Sequence, residues 1–140
     1  MANEARVFAE GVDQVIVRQF TVADATALPK GTLMVSSVAT NRTAVVHASY
    51  RQRPLGFTVS SKTASDGQTE IGLQRTGVVN AYVDGNAEAG MIAVLGTTAN
   101  RVKALTDNNI SAYEDMQAVL GRFIENAADG EQARVALTLG

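Results

Sequence analysis

The chain repeats itself, and that constrains its fold more than any other feature. Gly31-Thr-Leu-Met-Val35 returns as Gly90-Met-Ile-Ala-Val94, and Asn41-Arg42 returns as Asn100-Arg101, both displaced by 59 residues. Leu55-Gly56-Phe57 is matched by Leu120-Gly121-Arg-Phe123 at a displacement of 65, and Ala64-Ser-Asp66-Gly67 by Ala127-Ala-Asp129-Gly130 at 63. Each of these Asp-Gly pairs leads into an alternating run, Gln68 to Leu73 and Gln132 to Leu137. Turn glycines recur in any β protein, but four landmarks in one order point to a duplicated unit. At 140 residues the chain is one ordinary domain or two very small ones sharing a core, and it should bury roughly two-thirds of its unfolded surface.

The repeat reads as β throughout, because short alternating or apolar runs are separated by turn residues. Strands are expected near 14–20, 32–38, 43–48, 56–60 and 69–75, then near 78–83, 91–95, 102–105, 120–125 and 133–139. Asp66-Gly67, Asp84-Gly85 and Asp129-Gly130 are expected turns, since Gly accepts positive φ and Asp bonds its own backbone. The fold class that follows is mainly β, a β-sandwich or barrel-like fold built from two related β-rich repeats. The units are an N-terminal arm with the first strand (1–20), a first repeat (21–79) and a second repeat (80–140), in one compact domain.

One short helix is expected near 111–119. Ser111-Ala-Tyr-Glu114 has the form of a capping box, and it opens the stretch where the second copy is longer than the first. In the first copy the matching place, 47–54, holds a single helical turn or a loop. Residues 1–12 stand outside both copies, with Val7 and Phe8 as the bulky members. They are either a frayed terminus or a segment that orders against a partner.

Composition removes most chemistry. There is no Cys and a single His, His47, so disulfides, thiolate metal sites and thiol nucleophiles are excluded. No nucleophile elbow, P-loop or dinucleotide fingerprint is present. Asp107-Asn108-Asn109 lacks the spacing of a calcium loop, and Glu114 and Asp115 are adjacent in the expected helix and do not face each other. By alternation with Val46 and Ala48, His47 is expected to face outward or to sit at a strand end. No catalytic residue, cofactor or metal ligand is assigned, and the chain is expected not to be an enzyme.

The net charge of −2 disfavours a general nucleic-acid binder. Residues 1–79 carry 8 basic and 6 acidic groups, and residues 80–140 carry 4 and 8. Arg42, His47, Arg51 and Arg53 form the one basic cluster. That cluster is a phosphate site, a solvated face, or a partner for the acidic half of a neighbouring copy. No apolar run approaches the roughly 20 residues needed to span a bilayer, and residues 1–11 lack an apolar signal region. The chain is expected to be soluble, made in a cytoplasm, and free of membrane contact.

The doubled order of apolar strand, Leu-Gly step and Ala-x-Asp-Gly turn resembles small phage head-decoration (capsid cement) proteins. The resemblance rests on Leu73-Gln-Arg-Thr-Gly-Val-Val79, Asn86-Ala-Glu-Ala-Gly90, Leu120-Gly121-Arg-Phe-Ile-Glu-Asn-Ala-Ala-Asp-Gly130 and Arg134-Val-Ala-Leu137, and covers about residues 20–140. Leu28-Pro29-Lys30 departs from the small residues expected before Gly31. The resemblance implies a structural virion protein that docks on the exterior of an assembled capsid, binds the major capsid protein, and sits as a homotrimer at threefold positions. Multivalent docking of that kind turns weak contacts into tight attachment and stabilises the lattice by mass action. Candidate capsid or subunit contacts are Val7, Phe8, Arg42, Arg51 and Arg53. The alternative is a β-sandwich ligand- or sugar-binding module of a tail or fibre, for which Tyr50, Tyr82 and Tyr113 are the available tyrosines. A third reading, a small β-barrel enzyme using His47 or a carboxylate, has no supporting motif.

Overall fold

The computed structural model describes residues 15–40, 42–49, 52–106 and 117–139. Ten strands run through them: β1 (Val17–Thr21), β2 (Leu33–Ser36), β3 (Ala44–Val46), β4 (Pro54–Thr58), β5 (Glu70–Gln74), β6 (Thr76–Val83), β7 (Ile92–Leu95), β8 (Arg101–Ala104), β9 (Val119–Phe123) and β10 (Gln132–Thr138). All ten expected strands are present, with ends displaced by at most three residues. The capping box at Ser111 lies outside the described residues. The expected helix is wrong at its far end, because Val119 already belongs to β9 and pairs with Val94.

The strands divide into two lobes. The first five form a sheet in the order β1-β5-β4-β2-β3, and the last five close into a barrel, β10-β6-β8-β7-β9. Pairing registers show the same unit twice. Met34 opposes Gly56 with a bulge after Met34, and Ala93 opposes Gly121 with a bulge after Ala93. Val17 opposes Gln74 as Val78 opposes Ala136. Leu28 bridges Lys62 as Ala87 bridges Ala127. β1 is therefore the counterpart of β6, so it belongs to the repeat rather than to an arm outside it, and the second copy starts at Thr76 rather than near residue 80.

The Leu-Gly step is explained by a close approach. A Cβ on Gly56 would collide with the carbonyl oxygen of Gln74, and one on Gly121 with that of Ala136. In both lobes glycine is what lets the bulged strand pass against its neighbour.

Only the second lobe closes fully. Its seam is the parallel pairing of β6 with β8, Tyr82 with Arg101 and Val83 with Val102. The first lobe keeps the equivalent of the first pair alone, an isolated parallel bridge between Thr21 and Thr43, with the Thr21 N–H donating to the Arg42 carbonyl at 3.2 Å. The first-lobe core is Val22, Leu28, Met34, Ala44, Ile71 and Leu73. The matched positions are Val83, Ala87, Ala93, Val102, Ala133 and Val135, all buried. Four of these six are larger in the first lobe and one in the second, while the same registers match Ser36 and Thr58 with the larger Leu95 and Phe123. The two interiors are therefore filled differently at matched positions.

The lobes share a core. Along β2 alternation sends Met34 into the first lobe, while Leu33 and Val35 join Phe57 in the cluster built around the second barrel. Burying such side chains is worth about 1.5–3 kcal/mol each. Arg75 ties the far end: its Nη2 donates to the Leu139 carbonyl at 2.9 Å, and its Cζ lies 5.5 Å from the centre of the Phe20 ring.

Candidate functional site

The unclosed seam leaves β3 as an edge strand. His47 N–H donates to the Leu33 carbonyl at 3.0 Å and Ser37 N–H to the Thr43 carbonyl at 2.9 Å. This places the odd-numbered residues of β3 on the side bonded to β2. Antiparallel alternation then turns the backbone groups of Ala44 and Val46 toward the open edge. In the second lobe Asp84 N–H donates to the Val102 carbonyl at 2.7 Å across the same seam. The counterparts, Ala23 and Ala44, make no such bond.

Lys62 accounts for that divergence. It stands where the second lobe has Ala127, its side chain wholly buried, and its ammonium donates to the Asp24 carbonyl at 2.6 Å, the Thr63 carbonyl at 3.1 Å and Asp66 Oδ1 at 3.0 Å. The turn carrying Asp24 is thereby anchored toward Lys62. Asp66 is held below the usual carboxylate range by the Gln68 N–H and then by Lys62. Between this turn and β3 lies an apolar cavity of about 290 Å³ lined by Val22, Leu28, Met34 and Ala44 to Val46, among others.

Apolar side chains surround this edge. Val45 and Val46 are 39% and 38% exposed, and Val38, in the turn between β2 and β3, is 90% exposed. Such an edge is a template for added chain. The consecutive valines carried the signal, since a strand with one wet face does not need two in succession.

The structure gathers two of the candidate arginines at one end of this sheet. Ser36 pairs with Ala44 on one side, and on the other its N–H donates to the Arg53 carbonyl at 2.8 Å. Arg42 stands two residues before Ala44, in the left-handed region at φ 56°. Both arginines are exposed, and Arg42 borders a polar hollow with Gln19, Thr21 and Glu70. Val7, Phe8 and Arg51 lie outside the described residues.

His47 does not belong to that surface. It is fully buried rather than outward-facing, and it joins the lobes. Asn100 N–H donates to Nδ1 at 3.0 Å, so Nε2 carries the proton and donates to the Gly96 carbonyl at 2.9 Å. Asn100 in turn accepts the Leu33 N–H on Oδ1 at 2.7 Å. Burial lowers the His47 pKa, against opposing pulls from the Gly96 and Ser49 carbonyls and Asp84. The ring has no hydroxyl or thiol on either nitrogen, so its work is to hold two lobes together.

Among the described residues no group of three His, Cys, Asp or Glu side chains is placed to hold a metal ion, and no helix is long and apolar enough to cross a membrane.

No family model matches the chain, and no curated protein matches it. Among solved structures, the crystal structure of the head fiber gp8.5 N base in bacteriophage phi29 superposes with a TM-score of 0.57 at 12% identity, covering 91% of this chain and 97% of that one. The chain shares the mainly β fold of that base.

Proposed function

We propose that the chain is a structural protein of a phage virion, without enzymatic activity, that docks on the capsid exterior through the open edge of its first lobe. The observation that carries this reading is the contrast between the lobes: one barrel is sealed, and its duplicate presents an apolar strand edge with two exposed arginines at one end. The fold shared with a phage head fiber base supports the same setting. In this reading Val38, Val45 and Val46 supply the apolar contact with the major capsid protein. Arg42 and Arg53, with Arg51, steer the approach to acidic coat surface. Val7 and Phe8 reach a neighbouring subunit, and three copies gather at a threefold position, where each weak contact is multiplied.

The test is quantitative mass spectrometry of purified particles, counting this chain against the coat protein. A ratio that fits the lattice identifies a decoration protein that toughens the shell. A handful of copies identifies a fibre base, and absence from the particle removes the virion reading.

A further inference from the structure

The duplication carries a second surface feature, a pair of matched hollows of which only the first shares a residue, Arg42, with the docking edge. In the first lobe, Gln19, Thr21, Arg42 and Glu70 line a polar hollow of about 260 Å³. By strand register, Gln19 corresponds to Asn80, Thr21 to Tyr82 and Glu70 to Gln132. Arg42 corresponds to Asn100, one residue off the match of Asn41-Arg42 with Asn100-Arg101 expected from the sequence; each stands directly before the seam residue and each is in the left-handed region, at φ 56° and 62°. These four counterparts line a hollow of about 460 Å³ in the second lobe. The same place is hollow twice, with different chemistry.

The second hollow is the more elaborate. Lys30, Gly31 and Phe57 of the first lobe form its opposite wall, so it lies between the lobes. The same three residues and Asn80 also line an adjoining hollow of about 350 Å³ along β6. Together they make a groove longer than a single compact site. Its lining near Tyr82 is specific in kind. The Tyr82 ring is 48% exposed, and Asn80, Asn100 and Gln132 contribute three carboxamides. Lys30 contributes an ammonium, and no carboxylate lines either hollow.

That set suits one ligand class. A carboxamide donates and accepts side by side, which matches the paired hydroxyls of a sugar ring. An exposed aromatic face covers the C–H face of the same ring and removes it from water. The Asn100 oxygen is already engaged by Leu33, which leaves its NH₂ to donate. With Lys30 the only charged lining residue, a carboxylate on the sugar is favoured over a neutral hydroxymethyl. The first-lobe hollow has no ring and sets Arg42 near Glu70, so it lacks this combination.

We propose that the groove between the lobes binds an acidic oligosaccharide, with a sugar ring on Tyr82, hydroxyls on Asn80 and Gln132, and the carboxylate at Lys30. The experiment is titration of the ¹⁵N-labelled full-length chain with oligogalacturonides, and with N-acetylglucosamine oligomers of the same length, followed by amide shifts. Because the chain is studied free in solution, the result is independent of whether it docks on a capsid.

Saturable shifts on β6 and β10 with the oligogalacturonides are expected. Tyr82→Thr, which installs the residue that the first lobe already carries at this strand position, should weaken binding by about tenfold, the scale of one lost ring contact. Lys30→Met should bring the acidic oligomers down to the level of the neutral ones. Glu70→Gln, in the first-lobe hollow, should change nothing. Thermal melts of each variant separate lost binding from lost fold. No shift with either oligomer, shifts that survive Tyr82→Thr, or equal affinity for the neutral series would each overturn the assignment.

Discussion

Asn100 of the second lobe donates its backbone N–H to Nδ1 of His47 in the first lobe at 3.0 Å, and the opposite ring nitrogen is spent on the Gly96 carbonyl at 2.9 Å. The ring is thus neutral, buried and fully occupied, with no room for a second proton. Protonating it would turn Nδ1 into a donor facing a donor.

His47→Ala should therefore destabilise the protein by about 2–4 kcal/mol, through a buried carbonyl at Gly96 and a part-buried N–H at Asn100 left without their partner, and an emptied site. Equilibrium urea unfolding measures this. The same contact makes stability depend on pH. The folded His47 pKa is depressed, so the unfolded chain takes up the proton first as pH falls. The contribution is complete above the unfolded pKa of about 6.5 and is lost progressively below it. Thermal melts at about pH 7.5 and about pH 5 should differ more for the native chain than for His47→Gln. An identical pH response in the two proteins would count against the linkage.

The difference in filling makes its own prediction. Ala133→Ile places in the sealed barrel the residue that the open lobe carries at Ile71. Overpacking of this kind should cost about 1–3 kcal/mol, and hydrogen exchange should quicken first at the amide of Asp84, whose bond to the Val102 carbonyl crosses the seam. Uniform exchange across the barrel would show that the seam is not where an overfilled interior yields.

The glycines divide by mechanism. Gly121→Ala drives a methyl into the Ala136 carbonyl and should cost about 2–4 kcal/mol, at the upper end of overpacking losses. Gly31 has φ +85° but open space around a Cβ, so Gly31→Ala should cost only about 1–2 kcal/mol of backbone strain. Denaturant midpoints of the two variants, compared directly, test whether contact or conformation dominates.

Val38 offers a substitution that separates docking from folding. At 90% exposure, Val38→Asp should move stability by no more than about 0.5 kcal/mol. If the open edge is the docking surface, the same change should release the chain from capsids in a sedimentation assay. Arg42→Glu with Arg53→Glu should slow attachment and blunt its sensitivity to salt. Attachment that ignores all three changes would move the contact elsewhere.

Much of this molecule could be read along the chain. Period-2 alternation and turn chemistry are local, and they placed all ten strands. The order of landmarks disclosed the duplication, and the shared Leu-Gly step marked a place where a Cβ would strike the neighbouring strand in each copy. The candidate site was less legible. Arg42 and Arg53 were named for their charge, but Val45 and Val46, with Val38 in the turn before them, matter only because β3 has no strand on its outer side among the described residues. His47 was expected to face outward or to sit at a strand end; it sits at the end of β3, and its burial was hidden because the pattern within one strand says nothing of a second lobe packed over that end.

What the sequence by itself determined is the unit: its strands, its turns, its repetition and its poverty in reactive side chains. Only the tertiary structure decided that one copy seals and the other stays open. That outcome depends on contacts between residues far apart in the chain, among them Lys62 with the Asp24 turn in one copy and Asp84 with Val102 in the other. The groove along β6 is decided the same way, since Lys30 and Tyr82 meet only when the two copies fold against each other. Local propensity is additive along a chain, whereas closure and clefts are properties of what packs across it.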